Sequence, residues 1–184
     1  MLEVEQQPFM DVDHSKNNIL FAGRLEYQKG IDELVEIIKR SHDHQDLVFW
    51  IVGSGSLLGK IKELMAETDN VRYYEKIFNL SSNVGTFDYL LMPSNFEGLG
   101  LMSIEASLAK VPVIINSCPG LNETLPTDWS LKVQNNSVEQ YLEILGQLDR
   151  YDHEALGMKA WQYLKETFSV EKMQKAYEVF YSKA

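Results

Sequence analysis

The chain is 184 residues long, 45% hydrophobic and 24% charged, the balance of one globular domain with room for a real core. Its net charge of −10 and the lack of any Lys/Arg run exclude an ordinary nucleic-acid binder, so an anionic ligand must be held by a few placed cations. A lone cysteine, Cys118, excludes an internal disulfide, no apolar run is long enough to cross a bilayer, and the N-terminus has no signal-like segment, which together point to a soluble, cytoplasmic-facing protein.

Residues 1–17 carry no periodicity and read as a tail or linker, with the folded domain over 18–184. Ile19 to Ala22 is a buried strand, and Ile31, Leu34, Val35 and Ile38 then recur at helical spacing. Leu47 to Val52 is a second strand, and Leu57, Ile61, Leu64 and Met65 mark a second helix. Val71 to Tyr74 and Tyr89 to Met92 read as strands with space for only a short helix between them. Leu101 to Ala109 reads as a helix, Val111 to Ile115 as a fifth strand and Leu131 to Val133 as a weak sixth. Strands apolar throughout are buried on both faces, which predicts a Rossmann-like doubly wound α/β sheet of about six parallel strands. Three helical stripes follow: Tyr141, Leu142, Leu145 and Leu148, then Leu156, Ala160, Tyr163 and Leu164, then Val170, Met173, Tyr177 and Phe180. Each is expected to pack, and Ser169 is a candidate N-cap for the last.

In open parallel sheets ligands sit beyond the carboxyl ends of the strands, and the polar clusters fall there. Gly23 to Gly30 places Arg24 and Lys29 between two glycines and just before a helix N-terminus, a combination suited to a diphosphate. Gly53-Ser54-Gly55 lacks the third glycine of a dinucleotide fingerprint, since Leu58 stands there, and reads as a tight strand-to-helix turn. In Pro93 to Gly100, Glu97 precedes Gly98, Leu99 and Gly100, whose backbone N–H groups at a helix start suit phosphate, and its carboxylate reads either as an acceptor for a pair of sugar hydroxyls or as a helix-start acid stabilised by the dipole. Glu105 lies beyond, among apolar residues, where an unpaired acid is costly, so it reads as an acceptor for a ligand such as a sugar hydroxyl pair rather than as a helix-start acid stabilised by the dipole. After the fifth strand, Glu123 reads as a ligand or, slightly better, as an acid in the first turn of a helix. The four histidines are scattered, His42 and His44 in an expected helix exit, so no metal site is expected.

Taken together, Gly23-Arg24-Leu25 with Lys29-Gly30, the Glu97 and Glu105 pair, and Val111-Pro112-Val113-Ile114 with Glu123 resemble the C-terminal domain of glycosyltransferase family four, the group 1 glycosyl transferases of GT-B fold. The resemblance covers about Asn18 to Val133. It implies a retaining hexosyl transfer from a UDP- or GDP-sugar, in polysaccharide or glycoconjugate biosynthesis, with no metal or other cofactor. By position it implies that Arg24 and Lys29 neutralise the donor diphosphate. Glu105 would hold the ribose hydroxyls and Glu97 would lie against the donor sugar. Gly23, Gly53 and the backbone from Gly98 through Leu99 and Gly100 to Leu101 would touch the donor, and Lys76 and Ile77 would border the base. It further implies an N-terminal acceptor-binding domain that these residues do not supply, and through which alone a membrane would be approached. Without it the chain is expected to bind donor and to transfer no sugar. The sequence departs from the family pattern at Lys110, where glycine is usual, at Pro119-Gly120 in place of two glycines, at Leu99 in place of an aromatic, and in a short Tyr74 to Asp88 segment.

Two other readings fit fewer residues. A nicotinamide-dependent oxidoreductase domain would use Glu75, about twenty residues after Gly53, but leaves Arg24 and Lys29 without a role. A non-catalytic module would keep the fold and bind no nucleotide.

Overall fold

The structure, a computed structural model, describes residues 12–181. Its sheet contains β1 (Asn17–Ala22), β2 (Leu47–Val52), β3 (Val71–Tyr74), β4 (Tyr89–Met92), β5 (Val113–Asn116) and β6 (Lys132–Val133). All pairings are parallel, in the order β3-β2-β1-β4-β5-β6. The helices are α1 (Ile31–Arg40), α2 (Leu58–Glu67), α3 (Leu80–Asn83), α4 (Leu101–Leu108), α5 (Val138–Leu145), α6 (His153–Thr167) and α7 (Val170–Tyr181).

The central strands are apolar because both faces are covered. Every residue of β2 is buried, and β1 is buried from Asn18 onward. The α1 residues Ile31, Leu34, Ile37 and Ile38 form one fully buried stripe, each worth about 1.5–3 kcal/mol of transfer free energy. The chain steps from β1 to β2 to β3 in one direction and from β4 to β5 to β6 in the other. Right-handed crossovers then put α1 and α2 on one face and α4 on the opposite one. Accordingly α1 packs on α2 and α5, while α4 packs on α3 and α6. The direction reverses between β1 and β4, whose registered pairs are Ile19 with Tyr89 and Leu20 with Leu90. Beneath this junction, buried Asn18 accepts from Trp50 Nε1 and donates through both its nitrogens to Asp88.

Three expectations are corrected. Asn17 belongs to β1, pairing with Leu47, and Val12 already packs on the core, so the tail ends earlier than residue 17. The tail reading for residues 1–11 lies outside the described residues. β5 begins at Val113 rather than Val111, because Pro112 has no N–H to extend the ladder even though its carbonyl accepts from Leu90. On α7 the Val170, Met173, Tyr177 and Phe180 stripe is exposed, Phe180 by 70%, rather than packed. Helical spacing shows that residues share a face and not what that face meets. The cap of α7 is as expected, with Ser169 Oγ accepting from Lys172 N at 3.2 Å. At Lys110, where the family pattern has glycine, φ is 61°, so the lysine occupies the left-handed conformation that glycine adopts without cost. No helix among the described residues is long and apolar enough to cross a membrane.

Candidate functional site

The site forms where the carboxyl ends of β1, β2 and β4 deliver their loops side by side. After β1 the chain makes a short 3-10 turn over Tyr27–Lys29 and enters α1 through Gly30. Gly30 has φ 66°, and a Cβ there would lie 1.7 Å from the Pro93 carbonyl oxygen, so only glycine lets the two loops touch. The turn after β2 braces the same loop from the other side. Gly53 has φ 149°, and its absent Cβ makes room for the Gly23 carbonyl. Leu25 N–H donates to Ser54 O, while Ser56 donates through its backbone N–H and its hydroxyl to Glu26. Those two bonds, the hydroxyl's first, hold the Glu26 carboxyl below the usual range. This fits the reading of Gly53-Ser54-Gly55 as a turn.

The loop after β4 is stitched to the loop after β1. Asn95 donates through N–H to Gln28 O and through Nδ2 to Tyr27 O, and Gln28 Nε2 donates to Phe96 O. Arg24 donates to Gln28 Oε1 at 3.0 Å. Lys29 Nζ reaches Glu97 Oε1 at 2.5 Å, and their side chains are only 18% and 6% exposed. Ser94 Oγ donates to the same carboxylate oxygen at 2.8 Å. Glu97 therefore precedes α4 and is held by a cation and a hydroxyl, not by a helix dipole.

Behind these loops lies a polar web that the sequence reading missed. Asn116 Nδ2 donates to Ser94 O and its Oδ1 accepts from Asn136 N–H. Asn136 Nδ2 donates to Pro93 O and Asn95 Oδ1, and its Oδ1 accepts from the fully buried Tyr141. The available signals were an asparagine ending an apolar strand and an Asn135-Asn136 pair, a residue type that tolerates the left-handed φ of 54° and 52° found there. Cys118 is buried behind the loop, and burial first, then the charge of Glu97, pushes its thiol up to about 11.

A cavity of about 760 Å³ opens beside the loops. Gly23, Arg24, Gly53, Lys76 and Ile77 all line it, and Met102 enters from α4. Lys29 and Glu97 face each other next to it rather than forming its wall. Half-buried Glu105 lies one turn after Met102, on the same side of α4, and its carboxylate has no hydrogen bond or ion pair with the described residues. Gly98, Leu99 and Leu101 are exposed and do not line this cavity. The N–H groups of Gly100 and Leu101, expected to be open to phosphate, are taken by Gly120 O and Leu99 O. Glu123 accepts from Gly120 N–H at 2.7 Å, a local first-turn role. Among the described residues, no three His, Cys, Asp or Glu side chains group to hold a metal ion.

The model of the family described as glycosyl transferases group 1 matches residues 16–149, which takes in all of these loops. The chain belongs to that family.

Among its relatives, an uncharacterized 41.2 kDa protein in the cps region of Klebsiella pneumoniae is 40% identical over 119 residues, 62% of this chain and 32% of that protein. An uncharacterized glycosyltransferase of Methanocaldococcus jannaschii is 29% identical over 171 residues, 86% of this chain and 47% of that protein. The group 1 chain thus spans between about a third and a half of the length of these two relatives. Among solved structures, a Staphylococcus aureus TarM variant in complex with fondaparinux, α-GlcNAc-glycerol and UDP superposes with a TM-score of 0.79 at 20% identity, over 96% of this chain and 37% of that one. The C-terminal domain of a group 1 family protein from Francisella tularensis, LpcC, gives 0.71 at 19% identity over 84% of this chain and 87% of that one. The group 1 domain therefore has the Rossmann-like α/β fold of the GT-B glycosyltransferases.

Proposed function

We propose that these residues form the donor-binding domain of a retaining hexosyltransferase that moves a sugar from a nucleotide sugar to an acceptor in polysaccharide or glycoconjugate biosynthesis. One observation carries the reading. Lys29 of the β1 loop meets Glu97 of the β4 loop at the strand-order reversal, beside a cavity large enough for a nucleotide that Arg24 of the same β1 loop lines.

In this reading the cavity takes the nucleoside, with the base toward Lys76 and Ile77. Arg24 and Lys29 turn toward the diphosphate and stabilise the charge that gathers on it as the bond to the sugar breaks. Glu105, without a partner on the α4 face, accepts from the ribose hydroxyls. Glu97, fixed by Ser94, accepts from the sugar. Two side-chain cations meet the charge of the diphosphate, so the proposal includes no metal. Relatives named as O-antigen and amylovoran biosynthesis glycosyltransferases support the class of product. The cover of 87% of an isolated C-terminal domain supports a second, acceptor-binding domain elsewhere in the native protein. The 184 residues alone are then expected to bind donor without turnover, because rate depends on holding donor and acceptor together.

Titration calorimetry with UDP, GDP, ADP, NAD and sugar nucleotides, with and without EDTA, tests the proposal. Binding of a nucleoside diphosphate that survives EDTA is expected. No response to any nucleoside diphosphate would overturn it, and a response to NAD alone would favour the dinucleotide alternative.

A further inference from the structure

Among the residues lining the cavity is Glu75, the first residue after β3. Its carboxylate is exposed and has no hydrogen bond or ion pair with the described residues. The neighbouring cations do not neutralise it. Lys76 Nζ sits over the Phe78 ring, 4.7 Å from its centre, and Arg24 is turned to Gln28. The strand end that presents Glu75 is fixed, because Tyr73 OH donates to Gly53 O and Gly53 N–H donates to Tyr74 O. Elsewhere in the same cavity lining, Val52, Ile77, Leu80 and Met102 supply apolar wall for a flat ring.

A carboxylate only accepts hydrogen bonds, so it selects a ring edge with donors side by side. Guanine offers that edge, with N1–H and the N2 amino group adjacent. In uracil the single N3–H is flanked by two carbonyl oxygens, whose lone pairs would face the carboxylate. Adenine has an amino group next to a bare ring nitrogen. From this chemistry we infer that the domain selects a guanine nucleotide, with Glu75 as the residue that reads the base. The inference rests on the proposal that the cavity holds the donor nucleotide.

The test is calorimetry of the full chain with GDP, UDP and ADP, for the unaltered protein and for Glu75→Gln. Glutamine keeps the size of the side chain at an exposed position, so folding is not at issue. It replaces two acceptor atoms with one acceptor and one donor, which matches N3–H with a carbonyl of uracil, and N1 with the amino group of adenine. The unaltered chain should bind GDP about tenfold or more tightly than UDP or ADP, the scale of a charge-assisted bond. Glu75→Gln should lower GDP affinity by a similar factor while UDP and ADP hold or rise. Equal binding of the three nucleotides, or a GDP preference that survives Glu75→Gln, would overturn the base assignment and leave the donor-site reading standing. Binding to none of them would overturn both.

Discussion

Lys29 and Glu97 meet at 2.5 Å although 68 residues separate them in the chain. The cation proposed to hold a diphosphate is already engaged by the carboxylate proposed to hold the sugar. A nucleotide must therefore compete with Glu97 for Lys29, and changes at the two positions should couple. Lys29→Ala should weaken nucleoside diphosphate binding by about 1–3 kcal/mol, since it removes a charge-assisted bond and leaves Glu97 without its cation. Glu97→Gln should strengthen binding of the bare diphosphate by about 1 kcal/mol while weakening discrimination for the sugar nucleotide. Calorimetry on both single variants and the double variant measures this, and additive effects would show that the two side chains act on the nucleotide independently.

Glu105 should separate binding from folding. Its carboxylate makes no bond to the described residues, so Glu105→Gln should shift stability by less than about 0.5 kcal/mol in urea denaturation. If it accepts from the ribose, the same variant should weaken free and sugar-bearing nucleotides alike, by about 1–2 kcal/mol. An effect confined to the sugar nucleotide would place Glu105 at the sugar instead.

Asn136 should matter more to stability than its partial exposure suggests. It joins Pro93, Asn95, Asn116 and Tyr141, and the Tyr141 side chain is fully buried. Asn136→Ala leaves the Tyr141 hydroxyl without its acceptor and puts alanine at φ 52°, for a combined loss of about 2–4 kcal/mol. Urea denaturation reads the loss. Asn136→Asp keeps the acceptor for Tyr141 and should recover part of it.

Cys118 predicts the alkaline limb of stability. Burial holds its folded-state pKa up to about 11, above the ordinary thiol value, so the folded state keeps the proton more tightly than the unfolded chain does. That contribution is complete below the unfolded thiol pKa and is lost as pH rises toward 11. Unfolding free energy should fall across that window, and Cys118→Ala should flatten the slope there, whatever it costs in packing. Buried Tyr89, its hydroxyl pushed up to about 12, leaves a residual slope of the same sign at higher pH.

Much of this molecule is legible one segment at a time. The six strands, the short span between β3 and β4, and the Gly23 to Gly30 loop follow from runs and spacings, because burial on two faces demands continuous apolar strands and tight loops demand glycine. Arg24, Lys29, Glu97 and Glu105 could be singled out as residues at strand ends or on the helix that follows.

Their partners could not. That Glu97 binds Lys29, that Gly30 must yield to the Pro93 carbonyl, and that Asn116 and Asn136 brace both loops all depend on β1 lying beside β4. The same limit explains the exposed stripe of α7, where spacing aligned the apolar residues but packing left them in solvent. Residue types and their periods determine each element's conformation and which side chains share a face. Which faces and loop ends meet is a property of the assembled sheet, because it is set by contacts between residues far apart in the chain.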